Sequence, residues 1–209
     1  MNLILSGGGD SEQSKGVDTL FTSLLKNKRI LYIPIAMDRV KHPDRDCLLW
    51  LENNLSPYGN FDITLLNEND IKKFKYEELL DFGGVFIGGG NTYKLLKIFK
   101  EIGFDNYLVK LLKETDMPII GGSAGAVIFG KDIETVSTMD VNKVGLEDLS
   151  GMDMLNGKNV WVHYNESMDE DIQKYIERTR IEVIAIPEES GVYITNENIQ
   201  PIGEVKEFK

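Results

Sequence analysis

The chain has 209 residues, 42% of them hydrophobic and 27% charged, and carries a formal net charge of -11 at pH 7. That length suits one α/β domain with a sizeable core, spanning 1–209, and the composition excludes extended disorder. The acidic balance argues against a nucleic acid or an anionic membrane as partner, because phosphate-rich surfaces attract basic ones, and favours a small molecule or peptide.

The chain opens "MNLILSGGGD", where a short apolar run leads straight into glycines. This is too brief for a signal peptide, and no later run approaches the about 18 apolar residues of a membrane span, so a cytoplasmic location is expected. Further along, short β-rich runs alternate with amphipathic stretches, the pattern of repeated βα units and a mostly parallel sheet flanked by helices. Strands are predicted over 3–6, 29–36, 61–66, 84–89 and 118–122, with helices over about 12–27, 43–56, 75–81 and 92–115. After Ser123 the rhythm changes. "DIETV" (132–136) is strand-like, 140–158 is loop-rich, "NVWVH" (159–163) is a strand ending at a histidine, and 168–180 forms a helix. The tail reads as the strand "EVIAIP" and then a hairpin of "GVYITNENI" and "PIGEVKEF".

Three strands end in glycine turns, "SGGGD", "IGGGNT" and "IGGSAG". In an open α/β sheet the loops at the carboxyl ends of the strands gather where ligands bind, so these turns are expected to share one face. The last of them, Gly121-Gly122-Ser123-Ala124-Gly125, matches G-x-S-x-G between a strand and an apolar run. Small neighbours let such a serine sit on a sharp turn as a nucleophile, with the Ala124 N–H aimed at a developing oxyanion. Alone, the motif is equally a tight packing turn.

A nucleophilic serine needs a base. Only His42 and His163 are available; His42 precedes Pro43 among charged residues and reads as solvated, whereas His163 ends a strand. For the carboxylate that would orient the base, Glu188, Glu189 and Asp140 all compete, in a chain with 34 acidic residues. In "IGGGNTYKLL" (87–96) there is no phosphate-binding signature; the Gly90 N–H can supply a second oxyanion donor, Asn91 can contact substrate, and Thr92 can cap the following helix. The lone Cys47 and the histidine count give no zinc pattern, and neither metal nor cofactor is expected.

Together, "IGGGNTYKLL", "IGGSAGA" about thirty residues later, a strand-end "HY" and "AIPEE" resemble the dipeptidase E (aspartyl dipeptidase) and cyanophycinase family of serine peptidases. The resemblance implies a three-layer fold similar to class I glutamine amidotransferases, with Ser123 as nucleophile, His163 as general base, Glu188 as orienting acid, and Gly90 and Ala124 as oxyanion donors. It implies hydrolysis of small peptides, aspartyl dipeptides among them. Against an aspartyl preference, "HYNESMDEDI" is acidic where basic residues are usual, and would repel a substrate carboxylate. An amidase on a non-peptide substrate, or a non-catalytic metabolite-binding module, are the alternative readings.

Overall fold

A computed structural model describes all residues, 1–209. Five strands run parallel at the centre: β1 (Asn2–Ser6), β2 (Arg29–Ile33), β3 (Asp62–Leu65), β4 (Gly84–Ile87) and β5 (Pro118–Gly122). Two antiparallel strands, β8 (Gly191–Ile194) and β9 (Ile199–Ile202), extend the sheet to the order β3-β2-β4-β5-β1-β8-β9. A second sheet, not anticipated from the sequence, joins β6 (Asn159–Trp161), β7 (Val183–Ala185) and β10 (Lys206–Phe208) in the order β10-β7-β6.

Alternation along the strands sorts side chains to two faces. Leu3, Leu5, Leu31, Ile33, Val85 and Ile87 point to one core, which α4 (Thr92–Ile102) and α5 (Phe104–Glu114) cover with Leu95, Phe99 and Leu108. Ile4, Ile30, Tyr32, Phe86 and Ile120 point to the other, under α1 (Lys15–Leu24) and α2 (Asp44–Leu55). The second core is the smaller, because a cavity occupies part of the space between this face and its helices. Two short helices, α3 (Tyr76–Leu79) and α6 (Ala124–Val127), complete the main body, while α7 (Asp169–Thr179) packs Ile172, Tyr175 and Ile176 on the small sheet. No helix is long and apolar enough to cross a membrane.

Three expectations are corrected. The stretch 92–115 is two helices: Gly103 has φ 72, a left-handed conformation in which its N–H closes α4 and the chain restarts as α5. "DIETV" forms a 3-10 turn at Glu134–Val136, because the Asp132 carboxylate accepts the Glu134 N–H and Thr135 is turned inward onto the Val160 carbonyl. The second arm of the hairpin ends at Ile202; the chain then crosses to β7, so "KEF" completes the small sheet instead.

Candidate active site

Adjacency of β4, β5 and β1 in the sheet brings their three glycine turns together. Ser123 follows β5 with φ 51 and ψ -115, a conformation that costs a non-glycine residue about 1–3 kcal/mol and is sustained here by its surroundings. Its N–H donates to Ser6 O at 3.1 Å, and its carbonyl accepts the N–H groups of Ala126 and Val127. The serine therefore stands on a turn pinned from both sides. Its Oγ lies 2.8 Å from His163 Nε2.

His163 follows β6, also at positive φ (54°), and its Nδ1 is 3.1 Å from Glu188 Oε1. With Nδ1 carrying the proton donated to Glu188, Nε2 is left to accept from the serine hydroxyl. The other Glu188 oxygen accepts the Gln13 side-chain N–H at 3.2 Å, and Gln13 Oε1 in turn accepts the Asp10 N–H. Glu189 is exposed and its carboxylate bonds to nothing in the protein. Asp140 lies elsewhere: its Oδ2 accepts the Thr92 N–H at 2.7 Å, at the start of α4.

The loop after β1 ties these parts together. Gly7 O accepts the His163 N–H at 3.1 Å, Gly7 N–H donates to Ser190 O, and Gly9 N–H donates to Glu188 O at 3.2 Å. Gly8, at φ 103, passes so close that a Cβ there would lie 2.6 Å from His163 Cε1 and 2.9 Å from Ser123 Cβ. Sequence reasoning placed "SGGGD" on this face without seeing that it anchors both the histidine and the glutamate segments. Gln13 was missed as well, since a glutamine at a helix start carries no distinguishing local pattern.

The Gly90 N–H donates to no group within the protein, and Ala124 opens α6, where helix geometry leaves the first N–H groups unpaired. Asn91 is the residue that caps α4: its Oδ1 accepts the Lys94 N–H at 3.0 Å, and its amide donates to Val141 O. Both ends of that side chain are thus engaged, and Asn91 does not line the cavity that holds Ser123, contrary to the substrate contact expected of it. Thr92 is buried, lines that cavity and is not the cap.

Ser123 and His163 open into a cavity of about 1040 Å³ that runs between the sheet and helices α1 and α2. Asp10, Asp18, Asp46 and Asp140 contribute carboxylates to its lining, and no lysine or arginine does. Burial pushes the Asp18 carboxyl up to about 6, against a lowering by the Ser14 hydroxyl bonded to it. The acidic segment after His163 matters less than its sequence suggests. Asp169 is held by Lys206 and the Tyr164 hydroxyl, Glu170 pairs with Lys174, and only Met168 of this segment reaches the cavity.

This arrangement of serine, histidine and free N–H groups on a strained strand-to-helix turn suits acyl transfer. A family model described as Peptidase family S51 matches residues 2–202. The chain belongs to peptidase family S51. A Drosophila melanogaster protein named "Probable alpha-aspartyl dipeptidase" is 24% identical over 211 residues, covering 96% of this chain and 83% of the relative. "Peptidase E" of Pasteurella multocida is 24% identical over 219 residues, covering 97% and 88%. A crystal structure of a Peptidase E protein from Listeria monocytogenes superposes with a TM-score of 0.73 at 23% identity, over 100% of this chain and 98% of that one, and so shares the fold. Membership makes the chain a serine-type peptidase.

Proposed function

We propose that this S51 peptidase hydrolyses amide bonds of short peptides through an acyl-enzyme on Ser123, with His163 as proton carrier and Glu188 as the carboxylate that orients it. The observation that carries the reading is the continuous chain Ser123 Oγ to His163 Nε2 (2.8 Å) and His163 Nδ1 to Glu188 Oε1 (3.1 Å) at the mouth of a peptide-sized cavity.

In this reading Ser123 Oγ attacks the scissile carbonyl while its proton passes to His163 Nε2. The carbonyl oxygen, now an oxyanion, is stabilised by the N–H groups of Gly90 and Ala124. As the intermediate collapses, Nε2–H protonates the leaving amine. Water then attacks the ester carbonyl as it gives a proton to the same nitrogen, and collapse of this second intermediate breaks the bond to Ser123 Oγ, which takes that proton back as the acid is released. Glu188 holds Nδ1–H in place throughout and stabilises the imidazolium that forms twice per turnover.

Aspartyl peptides fit this chain poorly. A substrate carboxylate would enter a cavity with four carboxylates and no lysine or arginine in its walls, and like charges in a partly buried site cost several kcal/mol. The test is mass spectrometry of a mixed library of short peptides, aspartyl ones included, incubated with wild type and with Ser123→Ala. Cleavage by wild type, reduced by at least about 10⁴-fold in the variant, is the expected result. Equal cleavage by both proteins would remove Ser123 from the reaction.

A further inference from the structure

Between the sheet and helices α1 and α2, the cavity wall holds a buried polar group, Asp18 with Ser14 and Asn54, together with the aromatic side chains of Tyr32, Trp50 and Phe86. Asp18 on α1 is 1% accessible. Its Oδ2 accepts the Ser14 hydroxyl at 2.6 Å and the Asn54 amide at 3.3 Å, so α1 and α2 are tied through this carboxylate. No protein donor reaches Oδ1, and Asp18 takes part in none of the protein's ion pairs although it lines the cavity. A buried carboxylate normally has a cationic or hydrogen-bonding partner for each oxygen, because an uncompensated buried charge is costly.

The surroundings are aromatic. Trp50 lies one turn before Asn54 on α2, and Phe21 lies three residues after Asp18 on α1, so each shares a helix face with its polar neighbour. Phe86 on the sheet packs edge-on against both, at 6.0 Å from Phe21 and 6.2 Å from Trp50, and against Tyr32 at 5.6 Å. Trp50 is 43% exposed although it contributes to the cavity wall. Tyr32 reaches back towards the catalytic edge: a Cβ built on Gly88 would lie 3.5 Å from its hydroxyl. One carboxylate oxygen without a protein partner, in a cavity that Tyr32, Trp50 and Phe86 also line and to which no lysine or arginine contributes, is the complement of an organic cation.

We propose that this corner is a subsite for a cationic group of the peptide, an alkylammonium or guanidinium that pairs with Asp18 Oδ1 and lies against Trp50 and Tyr32. The inference rests on the peptidase reading for the identity of the ligand, and the subsite itself rests on Asp18 and its surroundings. The cation can come from a lysine or arginine side chain or from the peptide's own α-amine, which share this chemistry.

Calorimetry on Ser123→Ala, which binds without turnover, tests it with lysyl, norleucyl and glutamyl peptides of one backbone, each with a free and an acetylated N-terminus. At least tenfold tighter binding of the lysyl than the norleucyl peptide is expected if the side chain is the cation. The same penalty on acetylation instead assigns the α-amine. Adding Asp18→Asn should erase whichever preference is seen, and Trp50→Leu, on the half-exposed rim where folding is not at risk, should weaken it about threefold or more. Binding that neither a lysine side chain nor a free N-terminus tightens, or a preference that survives Asp18→Asn, would overturn the subsite. n-Butylammonium against n-butanol serves as a probe independent of peptide chemistry: cation-selective binding lost in Asp18→Asn upholds the subsite even if no peptide is cleaved, and its absence counts against it even if peptides are.

Discussion

Gly8, Glu188 and Gln13 mark three distances from the reacting atoms, and substitutions there are expected to rank accordingly. A methyl at Gly8 would press on His163 Cε1 and Ser123 Cβ at once, in a backbone conformation that disfavours any side chain. Gly8→Ala should therefore cost about 1–3 kcal/mol of stability and most of the turnover, read as a lowered Tm together with a lowered kcat. In the proposed mechanism Glu188→Gln removes the charge that stabilises imidazolium and should lower kcat at least about 100-fold, whereas Gln13→Ala, whose amide bonds to the Glu188 carboxylate, should cost less than about tenfold. Glu189→Gln touches no hydrogen bond and is the control for the choice between neighbouring glutamates. A larger loss from Glu189→Gln than from Glu188→Gln would transfer the orienting role to the exposed residue.

The start of α4 is the element on which the proposed oxyanion site depends most. Gly90 is followed directly by Asn91, whose side chain caps the helix, while Asp140 from a distant loop accepts the next N–H. Asn91→Ala and Asp140→Ala should each lower stability by about 1 kcal/mol, the usual worth of a capping interaction. If the Gly90 N–H acts on the transition state, both should also lower kcat more than they change KM, and an unchanged kcat would detach this turn from the chemistry. Elements of this kind differ in how far local sequence reveals them. β1, β2, β4 and β5 are apolar runs that end at glycine or proline, so their presence and the shared edge of the three glycine turns were readable, whereas their order in the sheet was not. The break at Gly103 was hidden because both flanking helices keep an apolar face, and β10 was assigned to the wrong sheet because a short polar strand has no pattern that names its partner. Ser123, His163 and Glu188 stood out as strand-end residues with motifs around them. Asp18 and Asn54 did not, since a polar residue on a helix looks the same whether it faces water or the wall of a cavity.

That cavity sets the pH response of the whole molecule on its α1 and α2 side. Asp18 has its carboxyl raised by burial from 3.8 to about 6. Between those values the folded protein keeps a proton that the unfolded chain has lost, so stability falls as pH rises through this window and the full penalty, about 3 kcal/mol, is present above pH 6. Below pH 3.8 both states are protonated and Asp18 contributes nothing to the pH dependence. The side chains bonded to it are Ser14, at the N-cap of α1, and Asn54 from α2; Cys47 and Tyr32 line the same cavity, with burial raising both the thiol and the phenol, and Asp10, His42 and Asp46 on its wall are exposed. Asp18→Asn keeps an acceptor for the Ser14 hydroxyl and removes the charge. Its Tm should match that of wild type near pH 4, rise above it as pH increases to just above 6, and keep a constant lead from there to pH 8. Because the net charge of -11 acts on both proteins nearly alike, the difference between their curves isolates Asp18 from the general self-repulsion of an acidic chain. A saturating alkylammonium should close the gap from the wild-type side, by favouring the ionised carboxylate only in the folded state. Parallel Tm curves across that range would mean that Asp18 is not held in the low-dielectric corner where its geometry places it.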